Sequence, residues 1–350
     1  MYQRTGFYLE SPVCPAAASA MSFALPILFL SAFGFSAIGL AAAPASLNTE
    51  PITIDAVNAA ALDGPLALKA TGPQVLRVEI LLARAKFSSG EIDGYFGNNL
   101  AHAVVAYRRA HNLPLDPVVD RTVWDLLNAD NGPLFVPYTL TKDDVAGPFV
   151  PVPHDMAGKS HLKRLWYESP DELLGEKFHI SPKLLAQLNE DEPLDEVATV
   201  ISVPNVLTPP PPKPASLCIN ATDLTLQGLD ADGHILMSYP VSVGSPHDPL
   251  PEGQLQVASI HPNPVYSYDS IHFWDSKGPR SKALVPPGPN NPVGVVWIGL
   301  SKNHYGIHGT PSPRLIGRGQ SHGCIRMTNW DVTELSKLVS PNLNVFMKAE

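Results

Sequence analysis

A chain of 350 residues with 44% hydrophobic and 16% charged side chains is long enough for two or three folded domains, each with its own core. A net charge of −9 leaves no basic stripe to neutralise phosphates, which excludes nucleic acid as the expected partner. The 37 prolines exceed the roughly 5% of ordinary proteins and gather between candidate domains.

Residues Ser11 to Thr49 carry no charged side chain. From Met21 through Leu40 the run is apolar, and Ala43-Pro44-Ala45 supplies the small residues of a signal-peptidase site. This places an export segment at 1–45, cut after Ala45. An uncleaved inner-membrane anchor competes, because the run approaches the ~20 residues that span a bilayer. Pro26 and the small residues of 36–45 favour cleavage. Arg4 is the only basic residue before Met21, which is therefore a second candidate start. Cleavage removes Arg4 and Glu10 together and leaves the net charge at −9. The expected location is the periplasm or cell envelope.

Cys14 falls in the export segment, leaving Cys218 and Cys324. An oxidising compartment invites a bridge between them. Cys218 lies on a strand-like run without charged or histidine neighbours, so it is expected to be a small apolar core residue.

From Pro73 to Asn128 the pattern is helical. Val75, Val78 and Leu82 share one face, Asp93-Gly94 marks a turn, Leu100–His111 is amphipathic, and Thr122-Val-Trp-Asp-Leu-Leu supplies a third helix. Glu91-Ile-Asp-Gly-Tyr-Phe-Gly, Ala103-Val-Val-Ala-Tyr-Arg-Arg109 and Asp120-Arg-Thr-Val-Trp124 carry a resemblance to the three-helix peptidoglycan-binding domain, placed at 73–128. Leu100 stands where that family usually has threonine, and Pro117-Val118 where it has Asp-Gly.

Residues 166–206 follow as a small unit. Ser169-Pro170-Asp171-Glu172 is a capping box with proline at the first helical position, Ser181-Pro182 opens a second helix, and Thr199-Val-Ile-Ser-Val-Pro reads as a strand. A βααβ element of this size resembles a LysM module, a binder of sugar backbones. Thr208-Pro-Pro-Pro-Pro-Lys-Pro lies in a stiff linker, 207–215.

Beyond it, 216–350 is β-rich. Leu217–Leu226, Ile235–Gly244, Leu255–Ile260 and Val293–Leu300 are strand-like, with a hairpin signal at Asp232-Gly233. Val332–Val339 reads as a helix and Asn344–Met347 as a closing strand. A mostly-β domain of about 130 residues results, with a β-sandwich-like packing as its expected architecture.

The chemistry concentrates in this domain, at Ser321-His322-Gly323-Cys324-Ile325-Arg326. A thiol performs acyl transfer when a base makes it a thiolate, and His308 and His322 are both candidates. On an extended strand His322 and Cys324 face the same side. Gly323 lets the backbone bend so that its N–H and that of Cys324 aim at an oxyanion, and Arg326 can hold a carboxylate with two hydrogen bonds. The Gly- and Pro-rich segment 310–320 reads as a loop forming a substrate wall. His304, His308, His322 and Cys324 are a conceivable zinc set, but their spacing matches no usual pattern and includes no carboxylate. No metal, and no cofactor or nucleotide motif, is expected.

His308-Gly309-Thr310 followed by Ser321-His322-Gly323-Cys324-Ile325-Arg326-Met327-Thr328-Asn329 resembles the signature of the L,D-transpeptidase (YkuD-type) catalytic domain. Pro286-Pro-Gly-Pro-Asn-Asn-Pro-Val-Gly-Val-Val-Trp-Ile-Gly-Leu is similar to that family's approach to its active site. Pro249-Leu-Pro-Glu-Gly departs from the usual Thr-Pro-x-Gly turn. The resemblance implies Cys324 as nucleophile and His308 as its base, with the imidazole held by the Gly309 carbonyl. It also implies His322 and the amides of Gly323 and Cys324 near the oxyanion, and Arg326, Ser321 and Tyr305 as substrate contacts. The implied substrate is the tetrapeptide stem of peptidoglycan. Cys324 would release the terminal D-Ala and hold a thioester at diaminopimelate until an amine of another stem resolves it as a 3–3 crosslink. Three alternatives stand beside this. Water as acceptor gives an L,D-carboxypeptidase, and a lipoprotein lysine would be another amine. A Cys218–Cys324 bridge would leave a non-catalytic wall-binding protein.

Overall fold

The computed structural model describes residues 51–245, 247–273, 279–319 and 323–348. Residues 1–45, where an export segment is expected, Cys14, Ser321 and His322 lie outside them. Among the described residues no helix is long and apolar enough to cross a membrane.

Helix α1 (Ile54–Ala59) begins at Thr53, whose hydroxyl accepts the Ala56 N–H at 3.2 Å. It precedes α2 (Pro73–Arg84), α3 (Asn98–Ala110) and α4 (Arg121–Leu127). Val75, Val78 and Leu82 are fully buried on α2, each contributing roughly 1.5–3 kcal/mol of burial. Asp120 caps α4 by accepting the Val123 N–H at 2.9 Å and pairs with Arg108 of α3 at 2.8 Å. Leu100, a departure from the resembled pattern, is buried in the core between these helices.

The middle unit runs through β1 (Phe135–Thr139), α5 (Lys142–Val145), α6 (Met156–Ser160), α7 (Pro170–Lys177), α8 (Pro182–Leu188) and β2 (Val200–Pro204). Ser169 and Ser181 cap α7 and α8, accepting the N–H groups of Glu172 at 3.1 Å and Leu184 at 3.2 Å. Each is followed by a proline, whose missing N–H costs nothing at a helix start. The antiparallel partner of β2 is β1, from Phe135↔Pro204 to Thr139↔Val200, and so lies upstream of 166–206. The residues near Trp166 are engaged elsewhere. Leu165 exchanges backbone bonds with Pro287 (3.0 Å) and Asn290 (3.1 Å), and Asn290 Nδ2 donates to the Trp166 carbonyl at 2.9 Å.

The last unit contains β3 (Ser216–Asn220), β4 (Thr225–Leu229), β5 (Ile235–Pro240), β6 (Gly253–Pro262), β7 (Tyr266–Asp269), β8 (Lys282–Val285), β9 (Val296–Leu300), β10 (Gly306–His308), β11 (Ile325–Arg326), helix α9 (Asn329–Leu338) and β12 (Asn344–Lys348). Two expectations are corrected here. Leu217–Leu226 is a hairpin and not one strand, because Asn220 Oδ1 accepts the N–H groups of Thr222 (2.9 Å) and Asp223 (3.2 Å) and turns the chain. The architecture is a curled eight-stranded sheet and not a sandwich, ordered β11-β10-β9-β6-β12-β3-β4-β5, with β7 and β8 paired as a separate two-stranded sheet. The ten-residue β6 joins both halves: its first part pairs with β12 and its second with β9, with a register shift between Val257 and Ser259. A bulge of this kind bends a strand and raises its twist. The curl brings Ser242, just beyond β5, against Arg326 of β11 through two backbone bonds of 2.8 and 3.0 Å.

Both faces of this sheet are covered. Along β3, Leu217 and Ile219 enter the core beneath α9 with Val332 and Leu335, while Cys218 enters the core of the helical units with Leu229 and Ile235. That alternation follows from the two-residue period of a strand. Cys218 is buried, as expected. Cys324 takes part in no disulfide.

Candidate active site

Strands β10 and β11 are parallel neighbours, with Ile307 opposite Ile325 and His308 opposite Arg326. Ile307 and Ile325 are wholly buried, so the alternate positions project from the other face of the sheet. His308 and Arg326 occupy those positions, and Cys324, two residues before Arg326, is in phase with them. Two segments far apart in sequence thereby place imidazole, thiol and guanidinium on one side of the sheet.

His308 is buried against Trp297 of β9, its register partner, with stacked rings 5.5 Å apart. Its Nδ1 lies 2.7 Å from the carbonyl oxygen of Gly309. A carbonyl only accepts, so Nδ1 carries the proton and Nε2 is left as the basic nitrogen. Burial is the largest influence on this ring and lowers its pKa to about 4, with Arg326 pushing the same way and the Gly309 bond opposing. The imidazole is therefore neutral at pH 7 and able to take a proton.

Cys324 is half-buried, and its Sγ donates to the His304 carbonyl at 3.5 Å. Burial raises the thiol's pKa above its ordinary value, while the Gly306 N–H and the Arg326 charge pull it down and are outweighed. At rest the sulfur is a thiol. Tyr266 of β7 faces the same site, and burial and the neighbouring Cys324 raise its phenol to about 12. Burial in turn lowers the pKa of Arg326, against the influence of Cys324 and Tyr266.

Gly323 has φ +100°, and a Cβ there would lie 3.3 Å from the Tyr305 ring. Tyr305 is thus the wall beside the residue preceding the thiol, and Lys302 Nζ sits 4.5 Å from its ring centre. Asn329, the first residue of α9, braces the other end of the site. Its Oδ1 accepts the Val295 N–H at 3.2 Å, and its Nδ2 donates to the Pro289 carbonyl at 3.1 Å and to Glu176 of α7. A Cβ on Gly309 would fall 2.1 Å from Asn329 Oδ1, so Asn329 backs the residue whose carbonyl anchors His308.

Of the residues singled out from sequence, Cys324, His308, Gly309, Gly323, Tyr305 and Arg326 gather here, while Ser321 and His322 lie outside the described residues. Tyr266, Trp297 and the bracing Glu176 were missed. Trp297 was findable as a strand residue in the Pro286–Leu300 run, whereas Tyr266 and Glu176 reach the site only through tertiary packing.

Among the described residues the one group of metal-type donors is Asp230, Asp232 and His234. These stand on the β4–β5 turn, where Asp230 Oδ1 accepts the N–H groups of Asp232 (2.9 Å) and His234 (2.8 Å). Asp230 is thus engaged in shaping the turn. A cavity of 590 Å³ opens where the three units meet, lined by Trp166, Tyr167, Glu176, His179 and Trp330, and does not include Cys324 or His308.

Residues 214–347 match the family model of the L,D-transpeptidase catalytic domain, and residues 71–127 that of a peptidoglycan binding domain. The chain is 33% identical to the YkuD protein of Bacillus licheniformis over 129 residues, covering 37% of this chain and 62% of that one. It is 34% identical to YkuD of Bacillus subtilis over 127 residues, covering 36% and 60%. With YbiS of Escherichia coli it shares 26% identity over 163 residues, covering 46% and 53%. All three carry L,D-transpeptidase in their names, and the chain spans about three fifths or less of their lengths. The β-rich unit thus matches the L,D-transpeptidase catalytic domain, and the helical unit before it matches a peptidoglycan binding domain.

Proposed function

We propose that this protein is a cysteine L,D-transpeptidase acting on peptidoglycan stem peptides. The observation that carries the reading is the shared sheet face of Cys324, Arg326 and the Gly309-anchored His308, within a domain matching that family. Cys324 Sγ attacks the carbonyl carbon of the third stem residue, diaminopimelate, and its proton passes to His308 Nε2. The amides of Gly323 and Cys324 stabilise the oxyanion, with His322 in support. His308 then protonates the departing nitrogen, D-Ala leaves, and a thioester remains. An incoming stem amine attacks that thioester and gives its proton to His308, which returns it to sulfur as the 3–3 link forms. Arg326, Tyr305 and Ser321 contact the stem. This proton relay suits a neutral imidazole and a thiol that form their ion pair only as the bond is made.

The upstream units serve wall attachment in this reading. The pairing of β1 with β2, with α7 and α8 the last two of the four helices between them, is what supports a LysM-like binder of glycan, and residues 1–45 direct export to the periplasm or cell envelope. Incubation with a tetrapeptide stem, followed by mass spectrometry, tests the enzyme. A Cys324 thioester lighter than the full adduct by D-Ala is expected, and a Cys324→Ala variant that still releases D-Ala would refute it. Accumulating dimers indicate transpeptidation; accumulating tripeptides would identify water, and hence a carboxypeptidase.

A further inference from the structure

The segment from Gly309 to Cys324 joins the strand of the imidazole to the residue bearing the thiol, so its middle influences how the two ends stand to each other. The catalytic domain does not hold that middle alone. On one side Ser242 Oγ accepts the Gly317 N–H at 3.0 Å and donates to the Leu315 carbonyl at 3.4 Å. On the other side Asn99, in the first turn of α3, donates Nδ2 to the Ile316 carbonyl at 2.9 Å. The approach is close. Gly317 has φ +74°, and a Cβ there would fall 1.9 Å from Asn99 Oδ1, while the Ile316 side chain is buried. Next to this contact, Glu91 and Asp93 of the helical domain line one cleft with Arg314 and Arg318 of the loop, a complementary set of charges.

We propose that Asn99 is a positioning residue for the chemistry at Cys324. Through it the helical domain holds the loop between imidazole and thiol in register, so that the module resembling a wall binder is also a structural part of the active site. Ser242 passes the constraint onward, because its backbone is paired with Arg326 two residues beyond the thiol. Displacements on the order of 1 Å around a reacting carbonyl can cost about a hundredfold in rate, so a loop held from one side only is expected to slow acylation.

This inference rests on Cys324 being acylated, and the test separates the two. In the full-length protein, acylation of Cys324 by a tetrapeptide stem or a carbapenem is followed by mass spectrometry. The variants are Asn99→Ala, Asn99→Asp (which keeps the volume and loses the donor) and Asn98→Ala, an exposed neighbour. Both Asn99 variants are expected to lower the limiting acylation rate by about tenfold or more, with half-saturation unchanged within about twofold. Their iodoacetamide reactivity should stay that of wild type, as should every property of Asn98→Ala. Gly317→Ala breaks the contact from the loop side and is expected to show the same rate loss should an Asn99 variant fold poorly. Wild-type rates in both Asn99 variants, or an equal loss in Asn98→Ala, overturn this inference alone. A wild-type protein that neither reagent acylates overturns the functional reading and this one with it.

Discussion

Cys324 and His308 are both neutral at rest, the state that the proposed proton relay requires and one that differs from cysteine sites that store a thiolate. Burial dominates both groups: it raises the thiol and brings the imidazole to about 4. The sign is then fixed, since thiolate accumulates only at alkaline pH. Alkylation of Cys324 by iodoacetamide should keep rising with pH beyond 8, and a plateau reached below pH 7 would disprove the neutral pair. Gly323 offers a second test at this scale. Its φ of +100° and the 3.3 Å clearance to Tyr305 make Gly323→Ala strained by about 1–3 kcal/mol. Acylation of that variant should fall at least about tenfold, since the strain tilts amides aimed at the oxyanion. A near wild-type rate would remove Gly323 from that role.

Among elements, α9 matters for more than its apolar face. Thr328 caps it by accepting the Asp331 N–H at 3.1 Å, and Asn329 turns back from its first turn to brace Gly309, Val295 and Pro289. Asn329→Ala leaves the Val295 N–H and the Pro289 carbonyl without this partner, at a cost of about 1–3 kcal/mol each at most. We expect a lower denaturant midpoint together with slower acylation, since the carbonyl anchoring His308 loses its backing. A variant with unchanged midpoint and rate would show that Asn329 is a spectator. The motif run ending at Asn329 was legible in sequence, but its role was not, because the groups it binds are spread over three other segments. The β3–β4 hairpin was misread for a related reason. Its turn is made by Asn220 side-chain bonds inside a run whose composition stays strand-like.

At the scale of the molecule, the three units share buried polar contacts. Lys86 of the helical domain pairs with Glu334 of α9 at 2.7 Å, Ser88 donates to Asp331 at 3.1 Å, and Asn290 Nδ2 donates to Glu172 of α7 at 2.8 Å. Burial raises Glu176 to about 8, so the folded protein holds a proton there that the unfolded chain releases near the ordinary carboxylate range. Its contribution to stability is complete at pH 4 and is lost as pH rises through 8. Asp331, raised by burial to about 7, acts in the same direction. Glu176→Gln should therefore flatten the fall in melting temperature between pH 5 and pH 8 relative to wild type. Parallel curves for the two proteins would show that Glu176 is ionised in the fold.

The sequence by itself determined the local and the chemical: helix starts at Ser169 and Ser181, the apolar face of α2, and the compact motif around Cys324. These are legible because capping, periodicity and nucleophile chemistry each act within a few residues. Tertiary structure decided the rest. It curled one sheet until Ser242 met Arg326, assigned Cys218 to the face covered by the helical units, and brought Asn99 to a loop more than two hundred positions away. Such contacts depend on strand pairing and on which faces become buried together, and no local pattern in the chain encodes them.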